Sequence, residues 1–371
     1  MSSFDITNIS KQLSDVTTKR RVVFLVLGIC LSGFILSIIP SRSYTISTNY
    51  QYVPSLKSES YSKIIHKDPE YTKYTYQVKS ESHFELSKEE PSVLILSTID
   101  GYGNKRSIKD FVHTISSLIE HQQRSYQISL GFLCTETAEL NKIIKYVESN
   151  SESLSNSFKR ITLISAPSFL TKETKTQLET NSVSARLKNF LISNTLDLET
   201  YTIFIHPHVK SFNKPDSIIS TFINSHQDIN VPRIQKGKDV DHDKNSWSGK
   251  RTKPTKEQLS LMDENKWDAF DYVPSDTDTT YHFQNYLNEE EEQHKDDYGY
   301  SVKLDAVGGY VIFVKSIIYK QGILFPNSNV VGTNWDRLQG YDGVETQGFC
   351  YMANALGYQC WGMPNMVAYL E

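Results

Sequence analysis

Cysteine is scarce in this chain, with 4 in 371 residues. No two stand at zinc-finger spacing, so a disulfide-built scaffold and a cysteine-held zinc module are both excluded. An excess of positive charge is missing too: 39 Lys and Arg against 43 Asp and Glu give a net charge of −4. Without a basic footprint, the chain is not read as a nucleic-acid binder. No internal repeat is visible. What is present is apolar and aromatic material, 38% hydrophobic with 22 Tyr and 17 Phe. That supplies a real core and excludes general disorder. The length accommodates two domains, or one large domain with appendages.

Long uncharged runs are rare, and one stands alone. Val22 to Ile39 (VVFLVLGICLSGFILSII) is 18 residues without a charge. At 1.5 Å per residue it spans about 27 Å, which suits the thinner bilayers of the early secretory pathway. Lys19, Arg20 and Arg21 precede it, and after Arg42 no Lys or Arg occurs until Lys57. The positive-inside rule puts the N-terminal side in the cytosol and the rest across the membrane. A cleaved signal peptide is the competing reading. The 21-residue polar lead and the poor cleavage sequence at Ile38-Ile39-Pro40-Ser41-Arg42 favour an uncleaved anchor. The expected layout is a cytosolic tail over 1–21, a transmembrane signal anchor over 22–39, a luminal stem over 40–90 and a folded domain over 91–371. The stem expectation rests on a composition rich in Ser, Tyr, Lys and Glu without a sustained apolar period.

Within the folded part, apolar runs and helical periods alternate. Val93–Leu96, Ile128–Leu133, Ile161–Ile164 and Tyr201–Ile205 read as strands buried on both faces. Between them, helical periods run through Ile108–Ile119, through Leu140, Ile143, Ile144 and Val147, and over 171–196. This β-α-β-α-β-α-β order predicts an α/β fold with a mostly parallel, doubly wound sheet. Ligands of such sheets sit at the carboxyl ends of the strands, so the loops after Thr98, Cys134, Ile164 and Ile205 rank first. Residues 268–298 are acidic and read as a solvated loop. Asp305–Val314 is strand-like, with Gly308-Gly309 as a bulge or a point of close approach.

Several segments carry side chains suited to chemistry. His206-Pro207-His208 leaves the fourth strand, and paired imidazoles there fit Mn or Zn; a chance pair on a surface loop is the plain alternative. Asp239-Val240-Asp241-His242-Asp243 reads equally as a cation site or as a polar turn. In DKNSWSGKRTKP (243–254), Lys250, Arg251 and Lys253 flank a Gly and suit a phosphate, and Trp247 reads as a docking or stacking aromatic. In GYDGVETQGFC (340–350), Asp342 and Glu345 among three glycines suit a general base or an acceptor-orienting acid. Cys350 and Cys360, ten apart, form a possible pair that leaves Cys134 free.

Taken together, DKNSWSGKRTKP, DAVGG (305–309), GYDGVETQGFC and GYQCWGMPN (357–365) resemble signature blocks of the fungal mannan-polymerase subunits. These are Golgi type II membrane proteins that elongate the α-1,6-mannose backbone of cell-wall mannan. The resemblance covers residues 92–367 and implies a GT-A fold, GDP-mannose as donor and Mn²⁺ as cofactor. It also implies a mannose-glycan acceptor and assembly with related subunits. Arg186, Lys188 and Asn189 fall on a family stretch, with Lys188 replacing an Arg, and these residues are expected to bind the donor. Asp243, Asn245, Trp247, Lys250 and Arg251 match their block, and Asp342 and Glu345 match theirs. Asp243, Asp342 and Glu345 are the expected catalytic acids.

Three departures stand out. The family's Asp-x-Asp at the fourth strand is His206-Pro207-His208 here, a family Glu is Gln347, and Met366–Glu371 supplies no His after Met-Pro-Asn. Two neutral imidazoles hold a cation less firmly than two carboxylates. Two functions lead, a GDP-mannose-dependent mannosyltransferase with an altered metal site at His206 and His208 or a non-catalytic scaffold subunit of the same complex, and a membrane-anchored glycan-binding module ranks last.

Overall fold

The computed structural model describes residues 50–53, 60–79, 91–99, 107–119, 126–170, 177–249, 255–264, 266, 269, 280–328, 330–331 and 341–371. The tail and anchor expected over 1–39 lie outside these residues. Among the described residues, no helix is long and apolar enough to cross a membrane.

The chain joins its sheet earlier than expected. β1 (Tyr50–Val53), β2 (Tyr61–Lys67) and β3 (Thr72–Val78) run antiparallel, and β3 continues onto the strand at Arg160–Ser165 through Lys73↔Ile164. Residues 61–78 therefore belong to the folded domain and not to a stem. In β3 the signal is a period of two in which Tyr74 and Tyr76 supply the apolar face, a pattern that composition alone hides. Tyr61 and Tyr76 are fully buried, and the Tyr61 hydroxyl donates to the Phe158 carbonyl at 2.6 Å.

The four expected strands form. β4 (Ser92–Ile99), β5 (Gln127–Cys134), β6 (Arg160–Ser165) and β7 (Tyr201–Ile205) pair in parallel in the order β6-β5-β4-β7. Along β4, Val93 and Ile95 enter one hydrophobic layer, while Leu94 and Leu96 enter the other. Burial on both faces is why the strand reads as unbroken apolar sequence.

Helices cover both layers, as a doubly wound arrangement requires. α1 (Ile108–Ser117), α2 (Thr137–Ser149) and α3 (Ser151–Ser157) pack on the first layer and α4 (Gln177–Thr195) on the second. α5 (Ile218–Asn224) returns to the first layer. α6 (Lys256–Asp263) starts at a Thr255–Gln258 capping box. α7 (Phe283–His294), α8 (Ser316–Lys320) and α9 (Thr346–Asn354) join the second layer.

The full sheet is mixed. β8 (Val209–Phe212), β9 (Ile229–Gln235), β12 (Val302–Leu304), β13 (Val311–Lys315) and β16 (Cys360–Leu370) extend it past β7 in the order β7-β13-β9-β16-β12, with β8 also on β16. β13 runs antiparallel between β7 and β9, and β9 pairs parallel with β16. Parallel pairing thus holds for the central strands and for β9–β16, and the flanks are antiparallel. Two small ladders complete the topology: β10 (Trp247–Ser248) with β11 (Tyr281–His282), and β14 (Val330–Val331) with β15 (Tyr341–Asp342). The acidic stretch expected as a loop contains α7. Its apolar face begins with Phe283 and Tyr286 in the second layer, behind a His282–Asn285 capping box.

Cys350 of α9 is bonded to Cys360 of β16, and Cys134 is free and buried. The closed loop spans 10 residues, for which loop-closure entropy gives about 3 kcal/mol. Replacing both cysteines by Ala is expected to lower stability by about that amount in urea denaturation. A loss well under 1 kcal/mol would show that the packing of α9 makes the bridge redundant.

Candidate functional site

β13 runs against β7, and this places its first residues beside the end of β7. Val311 faces Ile205, so Tyr310 sits next to His206, and the His206 N–H donates to the Tyr310 carbonyl at 2.7 Å. The Gly308-Gly309 turn just before Tyr310 brings in a third segment. The Gly309 N–H donates to Asp243 Oδ2 at 3.1 Å, and the Gly308 N–H donates to Ser246 Oγ at 2.9 Å. A Cβ on Gly308 would lie 1.8 Å from Asp243 Oδ2, so only glycine admits this approach.

α4 and α9 close the cluster from the second layer. Ser184 and Lys188 lie one turn apart on α4 and share a face. Both bind Glu345: Ser184 Oγ donates to Glu345 Oε1 at 2.6 Å, and the Lys188 ammonium forms an ion pair with the same oxygen. Lys188 is 5% exposed and lies 5.4 Å from the Phe325 ring centre. Glu345 precedes α9 with φ 62°, an uncommon conformation for a residue with a side chain. Its N–H donates to the Pro326 carbonyl at 2.7 Å. Gln347 Nε2 donates to Asn245 Oδ1 at 3.1 Å. Three sequence blocks that are far apart in the chain (243–249, 305–310 and 343–350) thus meet at the carboxyl end of β7.

The one ion pair among these residues, Lys188 with Glu345, is internal to the site. Burial, then His208 and Lys188, push His206 down to about 3, so its ring is uncharged. The His208 N–H donates to His206 Nδ1 at 3.2 Å, which assigns the ring proton to Nε2. Burial pushes Asp243 up to about 6, against the lowering effect of its backbone hydrogen bonds from Asn245 and Gly309. A row of rings borders the cluster. His208–His206, His206–Tyr310 and Tyr310–His242 have centroid separations of 4.7, 5.3 and 6.2 Å.

These opposite shifts give a pH prediction. Between about pH 4 and 6, the unfolded chain holds a proton on His206 that the folded chain lacks. Over the same range the folded chain holds a proton on Asp243 that the unfolded chain lacks. The two slopes therefore offset each other. His206→Gln is expected to unmask a loss of stability as pH rises from 4 to 6, and Asp243→Asn a gain. Urea denaturation at pH 4, 5 and 6 reads both; identical slopes in parent and variants would contradict the assignment.

Of the expected site residues, His206, His208, Asp243, Asn245, Lys188 and Glu345 come together. Trp247 does not face a ligand. It is buried, and its backbone is laddered to Asp305 and Ala306, so it docks the segment in place. Asn189 clamps Phe325, donating to its carbonyl at 2.7 Å and accepting from its N–H at 2.9 Å. Arg186 Nε donates to Ser182 O on its own helix. Asp342 stands opposite Val330 in the β14–β15 pair. Lys250 and Arg251 lie outside the described residues. Sequence reading missed Ser184, Tyr310 and Phe325. The spacing of Ser184 to Lys188 and the Gly-Gly before Tyr310 were available signals; Phe325 had none.

The donor set does not fit the Mn²⁺ implied by the resemblance. With Nδ1 accepting and Nε2 protonated, the His206 ring has no lone pair to offer. Lys188 already puts a positive charge close to it. Glu345 is held by Lys188 and Ser184. In the stretch after Met-Pro-Asn, Met366, Ala368 and Leu370 enter the hydrophobic core, and the Glu371 N–H donates to the His208 carbonyl. Among the described residues, no three His, Cys, Asp or Glu side chains are grouped so as to hold one ion.

Comparison with known proteins adds a family. The family model Anp1 matches residues 71–329. The mannan polymerase complex subunit MNN9 of Candida albicans is 26% identical over 274 residues, 65% of this chain and 66% of that protein. The mannan polymerase complex subunit mnn9 of Schizosaccharomyces pombe is 26% identical over 192 residues, 51% of each chain. The chain thus spans between half and two thirds of the length of these curated relatives. Among solved structures, GalNAc-T7 with UDP, GalNAc and Mn²⁺ is similar at 13% identity and TM-score 0.41, over 76% of this chain and 44% of that one. A putative glucose-1-phosphate thymidylyltransferase from Bacillus anthracis is similar at 8% identity and TM-score 0.34, over 75% of this chain and 85% of that one. Likenesses at this level carry no functional weight.

Proposed function

Because the chain belongs to the Anp1 family, we propose that it serves as a subunit of a mannan-polymerase-type complex with a GT-A-like fold, and that it supports a related catalytic chain without itself transferring mannose. The observation that carries this reading is the self-paired cluster at the end of β7. Its carboxylate Glu345 is held by Lys188, and its His206 is neutral, with Nδ1 accepting from the His208 N–H. Transfer from a sugar nucleotide needs charge stabilisation on the leaving diphosphate, usually from a cation. Among the described residues, this cluster has no cation to spare.

In the same reading, the domain lies in the Golgi lumen behind a type II anchor at Val22–Ile39. The Cys350–Cys360 bridge supports an oxidising compartment. The partners are related subunits, and the complex as a whole uses GDP-mannose to extend an α-1,6-mannose glycan.

One observation favours a second reading, an active mannosyltransferase that works without a divalent ion. Asp243 is buried, is held by backbone N–H groups and has a pKa of about 6, which suits a general base for an acceptor hydroxyl. A transfer assay with GDP-mannose separates the two readings. The chain alone is expected to transfer nothing, and its complex with a related subunit to transfer mannose equally well with Asp243→Asn. Transfer by the isolated chain, abolished in Asp243→Asn, would establish the second reading.

A further inference from the structure

The amino ends of β7, β9 and β16 and the carboxyl end of β13 meet at the end of the sheet opposite the cluster. Three large apolar side chains stay exposed there: Leu198 before β7 at 85%, Ile317 in α8 at 48% and Leu356 after α9 at 53%. The order β7-β13-β9-β16, at about 4.8 Å per strand, puts these strand ends within about 14 Å of one another. Exposed apolar side chains grouped in this way mark an interaction site, whereas scattered single ones need no explanation. The segments that carry them are tied together. The Ser316 N–H donates to the Thr200 carbonyl at 2.9 Å, and Lys320 Nζ donates to the Glu199 carbonyl at 3.4 Å. Lys315 Nζ and the Gln359 N–H both donate to the Asp228 carboxylate, at 2.9 and 3.2 Å. Tyr358 Oη donates to Gln321 Oε1 at 2.7 Å, and the Cys350–Cys360 bridge closes the loop that presents Leu356. The surface is thus ordered before anything docks, which lowers the entropic cost of binding.

Charge selects the occupant. On the β7 side, Asp197 adjoins Leu198 and its side chain is 67% exposed. On the α8 side, the exposed Lys320 stands one turn from Ile317. Asp197, Leu198, Ile317 and Lys320 thus present an acid, two apolar side chains and a base. A twofold axis between Leu198 and Ile317 sets Leu198 of each copy on Ile317 of the other, and Asp197 of each copy on Lys320 of the other. Such a face complements a second copy of itself in both charge and polarity. We infer that this end of the sheet is a self-association surface and that a second copy of this chain occupies it. Leu356 lies toward the rim and widens the apolar area. The inference goes beyond the subunit reading and uses no residue of the cluster at the end of β7, which the twofold leaves at the outer ends of the pair.

The test is sedimentation equilibrium of the purified full-length chain in density-matched detergent. A reversible dimer at micromolar concentration is expected. Leu198→Lys should weaken it about tenfold or more, because it puts a charge into the apolar centre. Lys320→Glu and, separately, Asp197→Lys should each weaken it about tenfold, because each sets like charges opposite one another. Mixing the Lys320→Glu chain with the Asp197→Lys chain in equal amounts should restore the parental affinity, since in the mixed pair every acid again faces a base. Tyr281→Ala, exposed on β11, should leave association unchanged. Circular dichroism checks that the variants are folded, and recovery on mixing carries the test if Leu198→Lys does not fold. A dimer indifferent to all three substitutions, as association through the expected membrane anchor would be, overturns the inference. So does a chain that stays monomeric, or a pair of charge-reversed chains that associate no better mixed than alone. A monomer that binds a related subunit through Leu198 assigns the face to that partner and overturns the second copy. The transfer assay with GDP-mannose is read separately, so failure of the dimer leaves the subunit reading standing.

Discussion

Glu345→Ala is expected to cost about 3–5 kcal/mol of folding stability, because it leaves the Lys188 ammonium buried without its counter-charge. Lys188 is 5% exposed, its ring neighbour Phe325 is fully buried, and nearby His206 is neutral, so Lys188 loses its direct ion-pair partner. Ser184 also loses its acceptor. The backbone contributes little to the difference, since Ala at φ 62° is strained much as Glu is. The pair is thus coupled, and Lys188→Met/Glu345→Ala should recover most of the loss, as replacement of a whole buried ion pair by apolar groups often does. Urea denaturation of the two single variants and the double variant measures the coupling. A loss below about 1 kcal/mol in Glu345→Ala would mean that water reaches Lys188 and that the pair is not sealed.

Gly308→Ala is the second large effect. The new methyl would lie 1.8 Å from Asp243 Oδ2 and 2.2 Å from its Cγ. Asp243 cannot simply turn away, because its two oxygens accept from Asn245 N and Gly309 N. Overpacking and the loss of a buried hydrogen bond together predict about 3 kcal/mol or more. The adjacent Gly309→Ala is the control. There the methyl would meet Lys188 Nζ at 3.5 Å and Thr346 Cγ2 at 3.7 Å, ordinary contacts, and the change should stay within about 1 kcal/mol. Equal effects at the two glycines would show that the turn as a whole, and not the approach to Asp243, sets the requirement.

How much of this was legible follows from burial and strand order. The strands buried on both faces, β4 to β7, were legible as unbroken apolar runs. β9 and β16 were not, because Pro232 and Pro364 interrupt them. In the structure those prolines sit at the point where the β9–β16 register shifts, between Met363 and Val367. β3 was hidden because Tyr74 and Tyr76 carry its inward face, and β2 because Lys63 interrupts the face of Tyr61 and Ile65. For the site, residue types and blocks named His206, Asp243, Asn245, Lys188 and Glu345 in advance. Their mutual pairing was invisible, since Lys188 and Glu345 are 157 positions apart and meet only through the folds of α4 and α9. For Trp247 the sequence leaves docking and stacking open. A charged loop with one aromatic gives the same signal whether the ring faces a ligand or the interior, and here it faces the interior.

The account stands on the lack, among the described residues at the end of β7, of side chains grouped to hold a cation. Thermal unfolding of the unmodified chain with millimolar GDP, in EDTA and in Mn²⁺, tests this most directly, since a site filled at 100 times its Kd adds about 2.7 kcal/mol. The midpoint is expected to be the same in both. A midpoint raised by GDP only when Mn²⁺ is present, and no longer raised in His206→Ala/His208→Ala, would contradict it.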